Sequence, residues 1–280
     1  MVYLVSSKIK ELFSQIQNIP QIPEVIKVLI SQFNDPDVDL KAIAKNVEKE
    51  QLIALKVLRL VNSAYFGLPK KIDSIEEAVV LLGMVRLRSL IIASGIVSSI
   101  PVIEGFNIKL FWLDGFRTAS YAKWLASKSA CDEDIAFTAG LLNNLGTILI
   151  YLGQRDEAVK IEQLIAEGHE RLFVEKMRLG FSSQDVSAEL CGLWQFSEEL
   201  IVPIAQCAEP LLADSVSKLA CVLNIAKYLS ACKQGCKDND EILQGLSLDI
   251  SSELGLSATF FDENIGEILG LESELEGMLV

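Results

Sequence analysis

A chain of 280 residues, half of them hydrophobic, can bury one large core or two of ordinary size, which excludes wholesale disorder. Its formal net charge of −13 is concentrated at one end: residues 238–280 hold 11 acidic side chains and no basic one, leaving 25 basic against 27 acidic residues before them. That balance lacks the basic face a nucleic-acid binder needs, and Arg86, Arg88 and Pro101 interrupt the longest apolar run, so neither nucleic acid nor a membrane is an expected partner.

Seven prolines, few period-2 alternations and apolar residues at helical spacing almost everywhere predict an all-α fold. A first helix is expected over Ser6 to Gln17. The turn holding Pro20 and Pro23 then opens a second one to Phe33, because proline suits a helix start. Asn34-Asp35-Pro36-Asp37 reads as a loop, with Asp39 able to cap a short helix through Val47. Gln51 to Asn62 is strongly apolar, with Lys56, Arg59 and Ser63 spaced along one face. After Tyr65-Phe66-Gly67-Leu68-Pro69, Ser74 and Glu77 form a capping box for a helix running through Gly83 and Arg88 towards Ile100, where Gly83 would admit close packing. The connection from Pro101 to Leu110 is the natural boundary of an N-terminal helical lobe, residues 1–104.

A second lobe, residues 105–237, begins with a helix from about Leu110 to Ser129. Asp132, Glu133 and Asp134 then sit where a helix N-terminus favours negative charge. Helices are expected over Glu157 to Glu167 and Glu170 to Arg178, then from a Ser182/Asp185 cap to Gln195. Pro203 should kink or restart the next one, and Asp214 to Cys232 should be another long helix. Residues 238–280 carry too many apolar side chains for a disordered tail, so short helices docked on the core, acids outward, are predicted.

Between Ala136 and Leu152, an apolar run long enough for a buried helix, lie two adjacent amides, Asn143 and Asn144. An unpaired amide in a core costs about 1–3 kcal/mol, so the pair marks either two amides satisfied by nearby backbone or a functional centre. The segment Leu141-Leu142-Asn143-Asn144-Leu145-Gly146 resembles the Leu-Leu-His-Asp-Ile-Gly helix of HD-domain phosphohydrolases. Ile19-Pro20-Gln21-Ile22-Pro23, Asn62-Ser63-Ala64-Tyr65-Phe66-Gly67 and Ala78-Val79-Val80-Leu81-Leu82-Gly83 resemble successive signatures of the HDOD family, the HD-related output domains of bacterial signalling. The resemblance covers roughly residues 14–210. It implies that the second lobe is an HD-like helical bundle and that the phosphohydrolase centre is generally absent.

Carried over position by position, the resemblance places Asp114, Asn143, Asn144, Ser183, Cys207, Ala208 and Lys227 where the enzymes hold His and Asp ligands; Thr147 replaces the family's usual Lys after the Gly. With a single histidine, His169, which follows Gly168 in a solvated loop, a multi-His centre is impossible. Amides and a lysine are poor ligands, and Lys227 would set a positive charge beside any divalent ion, or else bridge to Asp114 in its place. No phosphate-binding Gly loop, nucleophile elbow or Ser-His-Asp set is present either. No catalytic residue, no metal and no cofactor are therefore expected.

The function expected is that of a non-catalytic regulatory protein that binds a protein partner or a small ligand, a nucleotide among them; the alternative is a residual HD-type phosphohydrolase. The surface proposed for binding groups Lys56, Arg59, Asn62, Ser63, Tyr65, Phe66, Lys70, Lys71, Arg86 and Arg88, whose bases cluster in sequence within an acidic chain. Asn62, Tyr65 and Phe66 could equally be structural, capping and packing between lobes. Six cysteines without a Cys-x-x-Cys pair read as free thiols, and with no signal-like start they point to the cytoplasm. Oligomeric state is not readable.

Overall fold

The computed structural model describes residues 7–31, 40–62, 70–82 and 84–271, leaving aside the side chains of Ser31, Leu40, Lys41, Ile43, Leu82, Met84, Val85, Arg86 and Ser89. The Asn34–Asp37 loop, the Asp39 cap, Gly83 and the segment from Ser63 to Pro69 lie outside the described residues. Every regular element within them is helical.

The helices before Pro101 are α1 (Ser7–Gln15), α2 (Glu24–Ser31), α3 (Leu40–Lys49), α4 (Gln51–Val61), α5 (Ile75–Leu82) and α6 (Met84–Ser99). The helix expected from Ser74 to Ile100 is described on both sides of Gly83, as α5 and α6. Ser74 Oγ does accept from the Glu77 amide at 3.1 Å, but the Glu77 carboxylate accepts from Asp73 and pairs with Lys70, so only half of the expected capping box forms. α2 lies so close to α6 that a Cβ on Gly95 would sit 2.4 Å from Ile26 Cγ1, which is why a glycine is kept inside that helix.

The helices after Pro101 are built around α7 (Ile108–Lys128), which packs on α8 (Glu133–Leu142) and on α14 (Lys218–Gln234). Asn107 caps α7 by accepting from Leu110 N at 3.0 Å, and Asp132 caps α8 by accepting from Asp134 N and Ile135 N. α9 (Leu145–Gly153) packs on α10 (Arg155–Ala166) and on α12 (Ser183–Leu193), and α11 (Arg171–Arg178) joins them. The Ser182/Asp185 capping box that opens α12 is complete in both directions. α13 (Glu198–Gln206) runs through Pro203, which does not restart it; the missing N–H removes one rung of the helical ladder. α14 starts at Lys218 and not at Asp214, because a 3₁₀ turn, Pro210–Leu212, comes first and Ser217 supplies the cap.

The helices before and after Pro101 share one apolar core. α6 packs on α8, α1 packs on α9, and the Trp194 indole donates to Pro20 O at 2.9 Å across the junction. α15 (Asn239–Gly245), α16 (Leu248–Glu253) and α17 (Ala258–Leu269) follow; α16 and α17 pack on α14, and α17 also reaches α7. Ile242, Leu246, Leu254, Phe261, Ile265 and Ile268 are buried there, while Asp249, Glu253, Asp262 and Glu263 face water. The apolar stretch Glu133–Gly153 is long enough to cross a membrane, but 89% of its most apolar window is buried inside the protein, which is how a core segment behaves.

Candidate functional site

The Asn pair does not sit within one helix, as the run from Ala136 to Leu152 suggests, but between two. α8 ends at Leu142 and α9 begins at Leu145. The cause is a side chain from α12: Gly146 N, which an uninterrupted helix would direct to the carbonyl four residues back, donates instead to Ser187 Oγ at 2.8 Å. That hydroxyl lies 2.8 Å from Asn143 O and 3.0 Å from Ser183 O, so it stitches the break to α12. The approach requires glycine, since a Cβ on Gly146 would stand 1.9 Å from Ser183 O.

The two amides then diverge. Asn143 is fully buried and donates backwards to Gly140 O at 2.6 Å, while its Oδ1 has no hydrogen-bond partner among the described residues. Asn144 faces the other way: its Nδ2 donates to Asp114 Oδ2 of α7 at 3.0 Å, and its Oδ1 accepts from Gln184 Nε2 of α12 at 3.4 Å. Ser230 Oγ of α14 donates to Asp114 Oδ1 at 2.7 Å. Gln184 also reaches Ser183 Oγ at 3.2 Å, and Ser183 N donates to the buried carboxylate of Glu175 at 2.7 Å. Arg171 joins Glu175 at 3.3 Å to both oxygens of Glu162, at 2.8 and 3.0 Å. Burial disfavours the Arg171 charge, yet Glu162 and Glu175 outweigh it and the guanidinium pKa is raised.

This chain of polar groups borders a cavity of about 330 Å³, whose lining includes Phe106, Phe111, Asp114, Asn144, Tyr151 and Arg171. Phe106 meets Tyr151 at a ring-centroid distance of 4.7 Å and Phe111 at 5.5 Å, so three aromatic rings of the lining touch in series. The Tyr151 phenol is pushed up from its ordinary pKa by burial and then by Glu162, so it stays neutral. Tyr151, Glu162, Arg171, Glu175, Gln184 and Ser230 escape a reading of the sequence. Arg171 and Glu175, four apart on a helix, were the available signal.

Of the positions carried over from the HD enzymes, Asp114 and Asn144 line the cavity, and Ser183 stands behind them in the network. Cys207 and Ala208 do not join. Cys207 is fully buried with its thiol 3.2 Å from Ile204 O, and the carbonyls of both residues accept from Asn224 Nδ2. Burial pushes the Cys207 thiol up, and the charge of Lys227 nearby offsets part of that. The Asp114–Lys227 bridge is not formed, because Ser230 and Asn144 take the carboxylate. These residues do not fit a divalent metal: among the described residues no three His, Cys, Asp or Glu side chains converge on one point, and the Asn143 amide is turned away to Gly140.

The N-terminal basic set is not one surface. Arg88 is buried, only 7% exposed; its charge acts on Asp134, whose carboxyl is pushed up by burial and held down by Lys123, 3.5 Å away, and by Arg88. Lys70 pairs with Glu77, and Lys56 is half-buried with its pKa lowered by that burial. Arg59 and Lys71 remain exposed. Ser63, Tyr65, Phe66 and the Arg86 side chain lie outside the described residues.

Asn62 is structural. Its Nδ2 donates to Leu58 O at 2.8 Å and Ile72 O at 2.7 Å, and its Oδ1 accepts from Ile72 N at 2.7 Å, clamping the end of α4 to the approach of α5. Asn62→Ala strips both backbone groups of Ile72 of their partner, and a loss of about 2–3 kcal/mol in urea denaturation is expected. A change under about 0.5 kcal/mol would show that the clamp contributes nothing.

Comparison with known proteins makes the family plain. The HDOD domain matches residues 19–210. A solved structure from Shewanella amazonensis SB2B, provisionally designated a phosphohydrolase, is 30% identical with a TM-score of 0.79, covering 96% of this chain and 98% of that one. An HDOD domain protein of unknown function from Geobacter sulfurreducens, 20% identical, has the same fold with a TM-score of 0.79 over 98% of this chain and 97% of its own. An uncharacterized protein of Treponema pallidum (strain Nichols) is 27% identical over 190 residues, 67% of this chain; the match spans 37% of that relative's length. With the HDOD match running across more than half its length, the chain belongs to the HDOD family.

Proposed function

We propose that this protein is a non-catalytic regulatory module that works by binding, in the cavity beside Asn144 or through a protein partner. The observation that carries the reading is the state of Asp114. It is the one carboxylate among the positions carried over from the HD enzymes, and its two oxygens are already bonded to Ser230 and Asn144. A hydrolytic centre needs that carboxylate on a metal, in a full set of oriented, deprotonated ligands. Here the neighbours are neutral amides and hydroxyls, which suit a fixed polar floor instead. The six cysteines are free thiols, which supports a cytoplasmic setting. Exposed Arg59 and Lys71 are what remains of the basic surface for a protein partner.

Metal analysis with a phosphodiester assay tests this. Protein purified from cells supplied with iron, manganese and zinc should carry far less than one ion per chain, and should not hydrolyse bis(p-nitrophenyl) phosphate above the blank. Near-stoichiometric metal with turnover that chelation abolishes would establish the phosphohydrolase alternative.

A further inference from the structure

We infer that the cavity beside Asn144 takes a small organic cation, an ammonium or amidinium group on a compact apolar body. The inference rests on the binding function proposed above. The charge count around the space points to a cation: Asp114 is bonded only to neutral groups among the described residues, and Arg171 is held between two carboxylates, Glu162 and Glu175. The walls select the kind of cation. Phe106, Phe111 and Tyr151 form a contiguous aromatic surface, and ring faces attract weakly hydrated organic cations in the same way that they line ammonium-binding cages. A bare divalent ion would find no three His, Cys, Asp or Glu side chains converging on it among the described residues, and the second carboxylate of the lining, Glu162, is already paired with Arg171. The volume, about 330 Å³, lies at the small end of ligand sites, which suits a compact molecule better than a nucleotide.

Choline chloride, tetramethylammonium and benzamidine hydrochloride are the probes, with 3,3-dimethylbutan-1-ol as the uncharged counterpart of choline, each titrated into the full chain and followed by calorimetry and by tyrosine and tryptophan fluorescence. At least one cation should bind saturably at millimolar concentration or tighter, and the alcohol at least about tenfold more weakly than choline. Asp114→Asn keeps the shape and the acceptor for Ser230, and the exchanged donor is met when the Asn144 amide turns its oxygen towards it, so the variant should retain the parent's melting temperature within a few degrees while weakening the cation about tenfold or more. Phe106→Leu, at the aromatic wall, should weaken it several-fold. Equal binding of choline and the alcohol, full affinity in both variants, or no saturable binding of any cation would each overturn the assignment. The last result, obtained with protein that carries no metal and no hydrolytic activity, would leave the non-catalytic reading standing. Stoichiometric metal with turnover would remove that reading itself.

Discussion

Gly146→Ala should destabilise the protein by about 3–5 kcal/mol, lowering its thermal midpoint by roughly 10 °C. The added methyl carbon would stand 1.9 Å from Ser183 O, 2.8 Å from Ser183 C and 2.9 Å from Val186 Cβ. Two of those three atoms are backbone, so no rotamer change relieves the contact. Nor can the start of α12 readily retreat: the Ser182/Asp185 capping box holds it, and Glu175 accepts from Ser183 N at 2.7 Å. Separation would also pull Gly146 N from Ser187 Oγ and Gln184 from Asn144, so the polar network should loosen together with the fold. Gly192→Ala, on the same α12, is the control. Nothing lies within 4 Å of its new methyl group, so a neutral effect or a gain of up to about 1 kcal/mol is expected from helix propensity. Thermal and urea denaturation of both variants decide the matter; an unchanged midpoint for Gly146→Ala would mean that α9 and α12 are not in backbone contact.

Local signals in the sequence carry through where a single element determines the outcome. Ser182 with Asp185 announces a helix start and forms one, because the cap lies three residues away from its partner and needs nothing from elsewhere. Apolar residues at helical spacing likewise announce α7, α14 and the helices after Asp238. Chain neighbours that share a charge give no such assurance. Lys70, Lys71 and Arg88 read as a single basic surface, but helix rotation buries Arg88 among α6 and α8 while Lys71 points to water.

The Asn pair shows both sides of this limit. Two amides in an apolar run must be satisfied, so a polar centre at that place is legible from composition alone. Its partners are not: Asp114 lies 30 residues away, Gln184 40 residues beyond, and the Asp114–Ser230 bond spans 116 residues. Helical periodicity reports which face of each element is apolar and is silent on which faces meet. The aromatic wall is lost for the same reason, with Phe106 before α7 and Tyr151 near the end of α9. The helix break was hidden too, because it depends on Ser187, a residue of another helix.

Restoring the enzyme motif by Asn143→His with Asn144→Asp should produce a less stable protein that binds divalent metal weakly and hydrolyses no phosphoester. The first substitution places an imidazole where Asn143 is fully buried and bonded to Gly140 O, an overpacked site costing about 1–3 kcal/mol. The second replaces a donor that lies 3.0 Å from Asp114 Oδ2 with a carboxylate, so two acids face each other with no cation between them. Such a pair shares a proton, and the pKa of the introduced carboxyl in the fold rises above its unfolded value of about 3.9. Its penalty is therefore fully present above the raised folded pKa and vanishes below the unfolded one, so the variant should regain stability relative to the parent as the pH falls from neutral towards 4. Metal could relieve the repulsion only if further ligands closed around it. The Cys207 thiol is buried against Ile204 O and pushed up by that burial, Ala208 has no ligating side chain, and Lys227 adds a positive charge to their neighbourhood. Urea denaturation of parent and variant at several pH values, with manganese and zinc titrations alongside, reads out each step. A variant that is as stable as its parent at neutral pH, takes up one ion per chain and cleaves a phosphodiester would show that the missing ligands are supplied from elsewhere in the chain.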